Sequence, residues 1–241
     1  MSFKYVLFDI DDTITAEGKL PPCSYQSLWD LHENGFVLVA VTGRPAGWCD
    51  LIIRQWPVNA VIGENGAFYF YAENNTYSVI THPNAVSNKG LEKLEKIVLE
   101  SVPMSRPAKD QFSRLYDLAI DFCEDEPRLP IEEAYKIADI CINFGAKAKV
   151  SSIHVNTWLG DYDKLSMTKI MFENVFNETD FNSKCVYFGD SPNDEPMFQF
   201  FYNTIGVANV KPFLERMTFK PKKITNKPGG FGFTEAVREL L

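Results

Sequence analysis

Three acidic residues, Asp9, Asp11 and Asp12, stand where the apolar run Tyr5–Phe8 ends. Carboxylates held together at the end of a buried strand repel one another: at about 4 Å and an effective dielectric constant near 20, one pair costs on the order of 4 kcal/mol. A bound cation is the simplest way to offset that repulsion. Because alternate residues of an extended chain share one face, Asp9 and Asp11 can approach the same reacting centre. The cluster therefore predicts an active site.

Three later stretches carry residues of complementary chemistry, each at the end of a predicted strand or the start of a predicted helix. Thr42-Gly43-Arg44 offers a hydroxyl group and free backbone groups to a phosphoryl oxygen, Asp163-Lys164 places an ammonium group before a helix, and residues 189–194 include two further aspartates. In open parallel sheets, ligands bind outside the carboxyl ends of the strands, so these groups could converge there. Four carboxylates in one pocket would repel a phosphate group, and a hard divalent cation is therefore expected.

A parallel sheet must position these stretches. Near-continuous apolar runs of strand length alternate with helical segments in both halves of the chain, a pattern typical of a parallel sheet with helices on both faces. The predicted strands are residues 4–8, 36–41, 60–62, 185–188, 204–207 and 222–225, and the predicted helices are 24–34, one ending near 55, 195–201 and 233–241. Aromatic and polar residues alternate over 67–81 around Glu73-Asn74-Asn75, which predicts a hairpin. The predicted fold class is α/β, with a Rossmann-like doubly wound parallel sheet.

Residues 84–160 differ in character from the segments on either side. They predict a helix over 90–101, a strand over 118–122, a helix over 131–144 and alternating strand residues over 148–157. Helices and strands in that order can form an antiparallel sheet with helices on one face. We therefore expect an inserted α+β cap domain at 84–160, with residues 1–83 and 161–241 together forming the core.

Composition limits the classes of function. The 241-residue chain has 24 basic and 32 acidic residues and a net charge of −8, which argues against a nucleic-acid or membrane-surface binder. Its five cysteines are scattered and form no zinc-binding spacing, as expected for reduced thiols. No stretch resembles a signal peptide or the roughly 20 apolar residues of a membrane helix. A cytoplasmic protein is expected, with no nucleic-acid or membrane partner, and its oligomeric state is left open.

The four stretches, in this order, resemble the motifs of the haloacid dehalogenase superfamily of phosphohydrolases. Residues 9–13 (Asp-Ile-Asp-Asp-Thr) match the first motif, Thr42 the second, Lys164 the third and residues 189–194 the fourth. The insert, together with Gly-Glu-Asn-Gly at 63–66, is similar to the subgroup with a C2-type cap, and within it to the type IIB sugar-phosphate phosphatases. Asp12 departs from the pattern, because a glycine is frequent at that position in capped relatives.

The resemblance implies catalytic roles for the residues that match. Asp9 would be the nucleophile that forms an aspartyl-phosphate, and Asp11 would serve as general acid and then general base. Thr42 and Lys164 would hold the oxygens of the transferring phosphoryl group. Asp194 would orient Lys164 or the water around the metal.

The same resemblance implies a Mg²⁺ cofactor and a small phosphate-ester substrate. The metal would lie between the side chains of Asp9 and Asp190 and the main-chain carbonyl oxygen of Asp11. Substrate contacts are expected from Gly43, Arg44, Asn65 and Asn193. The expected activity is Mg²⁺-dependent hydrolysis of a small phosphorylated metabolite, such as a sugar or polyol phosphate.

Two other functions stay open from the sequence. A phosphomannomutase-like sugar phosphomutase shares the cap type and the catalytic aspartates, although such enzymes usually need several cap arginines and the insert has only Arg106, Arg114 and Arg128. A non-catalytic binding protein could share the fold, but it would not need the intact set of acidic residues and Lys164.

Cap residues carry no motif that assigns them a role. Basic residues could form a surface that faces the substrate, although exposed positions are expected for most of them: Arg106, Lys109, Arg114, Lys147 and Lys149. His154, in a predicted cap strand, is expected to be structural.

Overall fold

The computed structural model describes residues 3–73 and 76–241, and over these residues the chain forms twelve strands and seven α-helices. The strands are β1 Tyr5–Phe8, β2 Val37–Val41, β3 Ala60–Gly63, β4 Phe68–Glu73, β5 Thr76–Thr81, β6 Arg106–Pro107, β7 Asp117–Asp121, β8 Lys147–Val150, β9 His154–Trp158, β10 Cys185–Gly189, β11 Asn203–Gly206 and β12 Lys223–Ile224. The helices are α1 Pro22–Glu33, α2 Ala46–Gln55, α3 Glu92–Ser101, α4 Ile131–Asn143, α5 Lys164–Met171, α6 Glu195–Phe200 and α7 Gly229–Leu240.

The larger sheet has eight strands in the order β12-β11-β10-β1-β2-β3-β4-β5. Neighbouring strands are parallel from β12 to β3, and β4 and β5 add an antiparallel edge. These two strands form the predicted hairpin, of which Asn74 and Asn75 lie outside the described residues. The chain runs from central β1 outward through β2 and β3 and later resumes on the other side with β10, so the loops after β1, β2 and β10 meet at one edge. The predicted doubly wound α/β fold is confirmed.

Helices cover both faces of this sheet, because alternate residues of a strand point to opposite sides. Val6 and Phe8 of β1 belong to a core shared with α1, α2 and α7, whereas Tyr5 and Leu7 belong to a core shared with α5 and α6. All four side chains are fully buried. Burial on both faces is the physical reason for the near-continuous apolar runs in the sequence.

The smaller sheet has four antiparallel strands in the order β6-β7-β9-β8. α3 and α4 pack against it around a separate core that includes Leu94, Ile120, Ile137 and Val155. All of these elements lie within residues 84–160, which supports the α+β organisation expected for the insert. The exact domain boundaries stay a prediction.

Two predicted elements differ from the structure. The alternating run 148–157 is two strands instead of one, because Ser151 forms a tight turn in which its hydroxyl oxygen accepts the N–H of His154 at 3.0 Å. The last helix begins at Gly229, four residues earlier than predicted. A Cβ on Gly229, whose φ is +50°, would lie 2.3 Å from the carbonyl oxygen of Thr15. Glycine is therefore required where this helix starts against the loop after β1.

The carboxylate of one core residue, Glu64, binds backbone N–H groups of the cap. Glu64 follows β3, and its side chain accepts the N–H groups of Leu115, Tyr116 and Asp117 at 2.7–3.1 Å, as well as the N–H of Ala46 at 3.2 Å. Glu64 is fully buried. Burial, together with the nearby charge of Asp117, raises the pKa of Glu64 to about 7, although the backbone donors favour its ionised form.

Replacing Glu64 with alanine should lower the free energy of unfolding by about 3 kcal/mol, because buried N–H groups of the cap lose their acceptor and each unsatisfied group costs roughly 1–3 kcal/mol. Urea denaturation followed by circular dichroism measures the change. Glu73→Ala, at an exposed position of β4, is the matched control and should stay within about 0.5 kcal/mol of the unchanged protein. A Glu64→Ala effect as small as that of the control would mean that water replaces the carboxylate at no cost.

Candidate active site

The residues of the predicted site meet at the carboxyl edge of the larger sheet. Lys164, the first residue of α5, donates hydrogen bonds to Asp9 Oδ1 at 2.9 Å and to Asp194 Oδ1 at 2.8 Å. The exposed fractions of the three residues are 2%, 4% and 0%, respectively. Asp9 directly follows β1, and Asp194 ends the short 3-10 helix Pro192–Asp194 before α6. The fold thus joins distant parts of the chain in one buried, ion-paired cluster.

The first turn of α5, which carries Lys164, is held by local sequence. The carboxylate of Asp163 accepts the N–H of Ser166 at 2.7 Å, and the hydroxyl of Ser166 accepts the N–H of Asp163 at 2.9 Å, a reciprocal capping pair. Gly66 packs against this turn with φ +109°, and a Cβ there would lie 2.1 Å from the carbonyl oxygen of Asp163. The Gly-Glu-Asn-Gly sequence therefore allows the helix to start beside β3.

Asp190 has the oxygen best suited to a cation. One carboxylate oxygen, Oδ1, accepts the hydroxyl of Thr13 at 3.1 Å, whereas Oδ2 is buried and has no hydrogen-bond partner among the described residues. Oxygens of Asp9, Asp190 and Asp194 lie within 4.8 Å of one another. An unsatisfied buried carboxylate oxygen is costly, and hard divalent cations prefer such ligands. The carboxylates of Asp9 and Asp190 therefore fit a Mg²⁺ site.

Asp194 is already saturated by the protein. Its Oδ1 accepts Lys164 and also the hydroxyl of Tyr187 at 2.6 Å, and its Oδ2 accepts the N–H groups of Asp190 and Ser191 at 3.0 and 3.3 Å. A carboxylate bound on both oxygens positions its neighbours, and its remaining capacity for a metal is small. The geometry supports the predicted contact between Asp194 and Lys164.

Negative charge dominates the centre of the site. Burial raises the pKa of Asp9 to about 7 against the attraction of Lys164, and the charges of Asp194 and Asp11 add to the rise. Burial, followed by the charge of Asp9, raises the pKa of Asp190 well above its usual value. The pKa of Lys164 is also raised although burial acts to lower it, because Asp194 and Asp9 stabilise the ammonium form. One lysine facing three buried carboxyl groups leaves a deficit of positive charge that a cation would meet.

Asp11 lies on the loop after β1, where its carboxylate is bound by Arg44. Arg44 Nε donates to both oxygens of Asp11 at 2.9 and 3.1 Å, and Nη2 donates to Oδ1 at 2.8 Å. The next residue, Asp12, has φ +55°, the left-handed region that non-glycine residues rarely adopt. Glycine adopts that conformation without steric cost, so a glycine at this position would fit the backbone.

Thr42, Gly43 and Asn65 line the carboxyl end of β2. The hydroxyl of Thr42, which is fully buried, accepts the N–H of Arg44 at 3.0 Å. An ideal Cβ on Gly43 would lie 3.1 Å from Asn65 Nδ2 and 3.3 Å from Asn156 Oδ1, so both amides approach this glycine. Neither side-chain polar atom of the buried Asn65 has a hydrogen-bond partner among the described residues. The amide of Asn65 is thus available to a ligand.

Asn193 supports its own loop. Its side-chain oxygen accepts the hydroxyl of Ser191 at 2.9 Å, and only 5% of the residue is exposed. Contact with a substrate through this residue stays a prediction.

A cleft of about 830 Å³ opens between the loop after β1 and the cap. Its charged lining includes Asp11, Lys19, Arg44, Glu124 and Arg128. Asp9, Lys164 and Asp190 are buried and do not line it. The cleft ends at Asp11 and Arg44, and it is large enough for the organic part of a small phosphate ester.

Of the five basic cap residues, Lys109 and Lys147 are exposed, Arg106 and Lys149 are partly buried, and Arg114 is buried. Lys109 and Lys147 have side chains that are 80% and 44% exposed, as expected. Arg114 contradicts the expectation of an exposed position: its side chain is fully buried, with ion pairs to Asp110 and Asp117 at 3.0 Å. It also donates to the carbonyl oxygen of Gly43 at 2.9 Å, so it joins cap to core.

Several contacts at the site could not be inferred from the sequence. Thr13 belongs to the first motif, but its bond to Asp190 arises only when β1 and β10 become neighbours. Tyr187 appears in the sequence as one more buried strand residue, and only the fold places its hydroxyl on Asp194. Glu124, in a cap loop, reaches Arg44 across the cleft at 2.7 Å.

Among residues 3–73 and 76–241, no helix has the length and apolar character needed to cross a membrane.

Comparison with known proteins agrees with the motifs. Residues 6–101 match the family model of haloacid dehalogenase-like hydrolases. No curated protein matches the chain. The structure of protein 0175 from Thermoplasma acidophilum is similar, with a TM-score of 0.77 and 17% identity over 100% of this chain and 99% of that chain.

Two further solved structures with a similar fold are those of phosphatases. The subclass IIB sugar phosphatase BT4131 has a TM-score of 0.69 at 14% identity, covering 99% of this chain and all of that one. The sucrose-phosphatase from Synechocystis sp. PCC6803, solved with sucrose and phosphate, has a TM-score of 0.67 at 15% identity, covering 100% and 98%. At such identities the likeness concerns the fold. The family model over residues 6–101 supports the resemblance to the haloacid dehalogenase superfamily that the four motifs predict, and the chain shares its fold with a subclass IIB sugar phosphatase.

Proposed function

We propose that this chain, which has the fold of the haloacid dehalogenase-like hydrolases, is a Mg²⁺-dependent phosphatase of a small phosphorylated metabolite, a sugar or polyol phosphate. The observation that carries the proposal is the buried contact of Lys164 with Asp9 and Asp194, beside an Asp190 oxygen that has no hydrogen-bond partner among the described residues. The structural likeness to a sugar phosphatase and to a sucrose-phosphatase supports the choice of substrate class.

In the first step, Asp9 takes the phosphoryl group. Lys164 holds Oδ1 of Asp9, which leaves Oδ2 to form the new bond to phosphorus while the bond to the leaving oxygen breaks. Asp11 enters this step in its protonated form and gives that proton to the leaving oxygen, and the free alcohol departs. Lys164 and the hydroxyl of Thr42 donate hydrogen bonds to the oxygens of the phosphoryl group, where charge is spread in the transition state.

In the second step, water releases the phosphate. A water molecule attacks phosphorus and passes a proton to Asp11, now a general base. The bond between Asp9 and phosphorus breaks, inorganic phosphate leaves, and both carboxyl groups return to their starting states. Asp194 keeps Lys164 in place through both steps, because it accepts a hydrogen bond from the ammonium group at 2.8 Å.

The metal site is proposed at the carboxylates of Asp9 and Asp190 and the main-chain oxygen of Asp11. When bound, Mg²⁺ would supply positive charge that offsets the repulsion between these carboxylates and the phosphate ester. The free oxygen of Asp190 supports this assignment.

The organic part of the substrate is proposed to occupy the cleft that ends at Asp11 and Arg44. Asn65, with an amide that has no partner among the described residues, and the backbone of Gly43 are placed to contact the substrate beside Thr42. Hydrolysis is favoured over a sugar phosphomutase, because Arg106 and Arg114 are bound to cap aspartates and only Arg128 of the three cap arginines lines the cleft. A mutase usually needs several cap arginines there to hold a phosphorylated intermediate while it reorients.

A panel of phosphorylated sugars, polyols and nucleotides tests the proposal by release of inorganic phosphate. We expect release from one or more sugar or polyol phosphates in the presence of Mg²⁺, and none after addition of EDTA. Sustained turnover that requires a sugar bisphosphate would favour the mutase instead. Binding of sugars without release of phosphate from any ester would indicate a binding protein.

Asp190→Asn and Asp11→Asn should separate the metal site from acid–base chemistry. Asp190→Asn should weaken Mg²⁺ binding by about 10-fold or more, because it removes a charged ligand, whereas Asp11→Asn should change it less than about threefold, because Asp11 is proposed to bind through its main chain. Isothermal titration calorimetry measures both affinities. Equal losses in the two variants would contradict the assigned roles.

A further inference from the structure

Charged residues form a continuous chain from the core into the cap. Arg44 binds Asp11 on the core side and contacts Glu124 Oε1 of the cap through Nη2 at 2.7 Å. The other oxygen of Glu124 lies 2.9 Å from His154 Nε2. Nη1 of Arg44 donates to a second cap carboxylate, Asp110, at 3.1 Å. The residue that binds the proposed acid is thus held by two side chains from the cap.

The position of Arg44 depends on these cap residues. Its guanidinium group lies 4.3 Å above the ring of Trp48, and every nitrogen of the group donates to a carboxylate. A planar guanidinium group has fixed donor directions, so the carboxylates around it determine its orientation. Without the cap carboxylates, Nη1 would lose its partner and Nη2 would keep only Asp11.

Glu124 is itself held firmly. It lies in the cap loop after β7, and its N–H donates to Asp121 Oδ1 at 2.8 Å. Burial would raise its pKa, but the hydrogen bond and charge of His154, together with the charge of Arg44, lower the pKa of Glu124 to about 2. Its carboxylate therefore bears a negative charge at neutral pH and attracts the guanidinium group of Arg44.

We propose that Glu124, held by His154, is a positioning residue that fixes Arg44 and, through it, the orientation of the Asp11 carboxyl group. Because Asp11 and Arg44 belong to the core while Glu124 belongs to the cap, the proton donor is correctly oriented only when the cap lies on the core. The inference rests on the proposed function, in which Asp11 protonates the leaving oxygen. Glu124 need not touch the substrate for this effect.

The dependence of rate on the leaving group tests this role. p-Nitrophenyl phosphate releases a stable phenolate that departs without a proton, whereas an alkyl phosphate such as glycerol phosphate needs one. Because general acid catalysis contributes typically 10²–10⁴-fold, Glu124→Gln should lower kcat for the alkyl phosphate by about 10- to 100-fold. For p-nitrophenyl phosphate, the change should be less than about threefold. Glu126→Gln, on the same loop with a side chain that is 81% exposed, is the matched control and should alter neither rate.

A double-mutant cycle shows whether Glu124 acts through Asp11. In an Asp11→Asn background the acid is absent, so adding Glu124→Gln should cause no further loss with the alkyl phosphate. A further loss in that background would overturn the proposal. An equal fall for both substrates in the single variant would also overturn it, because this is the result expected if Glu124 only keeps the cap closed.

A conservative variant and the unchanged enzyme complete the test. Glu124→Asp keeps the charge but shortens the side chain, and it should show the same selective loss to a smaller extent even if Glu124→Gln folds poorly. Suppose that Glu124→Gln folds poorly and that Glu124→Asp has the same ratio of kcat for the alkyl phosphate to kcat for p-nitrophenyl phosphate as the unchanged enzyme. That result would overturn the proposal. If the unchanged protein releases phosphate from neither substrate, the proposed function fails and this inference falls with it.

Discussion

Replacement of Asp9 by asparagine is expected to lower kcat by about 10⁴-fold or more without lowering the free energy of unfolding. The amide cannot serve as the nucleophile, so the aspartyl-phosphate does not form. Stability should be unchanged or higher, because asparagine has nearly the same size and removes one of three buried carboxyl groups that lie within 4.8 Å of one another. Lys164 keeps its bond to Asp194 at 2.8 Å.

The measurement combines turnover of p-nitrophenyl phosphate with Mg²⁺ and thermal unfolding of the same samples. Asp139→Asn, at an exposed position of α4, is the matched control for the change of residue type and should affect neither quantity. Activity of Asp9→Asn within tenfold of the unchanged enzyme would show that another group attacks phosphorus. Unfolding of the variant at markedly lower temperature would show that Asp9 stabilises the fold.

Replacement of Lys164 by methionine is expected to produce the largest loss of stability. Asp9 and Asp194 then remain buried without their common cation, and removal of one partner from a buried ion pair typically costs about 3–5 kcal/mol. Methionine is long enough to fill the space, so the loss reports charge more than packing. Activity should also fall by about 10²-fold or more, because the phosphoryl oxygens lose a fixed donor.

Urea denaturation with EDTA present measures this effect without contributions from a bound metal. Lys169→Met is the control, since it lies on the same helix but is exposed, with its ammonium group 4.6 Å from the ring of Phe200. A change of less than about 1 kcal/mol for Lys164→Met would mean that the surrounding carboxyl groups are protonated in the metal-free protein. Because Lys164 lowers the pKa of Asp9, its removal raises that pKa above the value of about 7 in the unchanged protein, so the comparison should be repeated over a range of alkaline pH.

The Glu64 and Glu124 contacts give the cap two different attachments to the core. Glu64 holds the cap backbone at residues 115–117 and is fully buried, so this contact is suited to a permanent connection. The Arg44–Glu124 contact lies beside the cleft, and the side chain of Glu124 is 29% exposed.

Much of the site was predictable because strand ends carry local signals. The apolar run of β1 predicts a strand buried on both faces, and a chain that emerges from it must place Asp9 at the carboxyl edge of the sheet. The same reasoning applies to Thr42 after β2 and to Asp190 after β10. The start of α5 at Lys164 also follows from neighbours in sequence, namely the capping pair of Asp163 and Ser166.

The cap was less predictable, because its contacts depend on packing between elements that are distant in sequence. A serine turn divides residues 148–157 into β8 and β9, and alternation alone does not reveal that turn. Arg114 looked like a surface residue, and only the packing of the insert on the core buries it between Asp117 and the carbonyl oxygen of Gly43.

The sequence by itself determined the class of fold and the groups that we propose to take part in phosphoryl transfer, because the period of the hydrophobic pattern and the position of a residue at a strand end are local properties. Only the tertiary structure decided which charges meet. Arg44 and Glu124 are 80 residues apart, and Glu64 lies 51 to 53 residues from the cap groups it binds. Such pairs form because two separately packed sheets dock in one orientation, and a local pattern contains no information about that orientation.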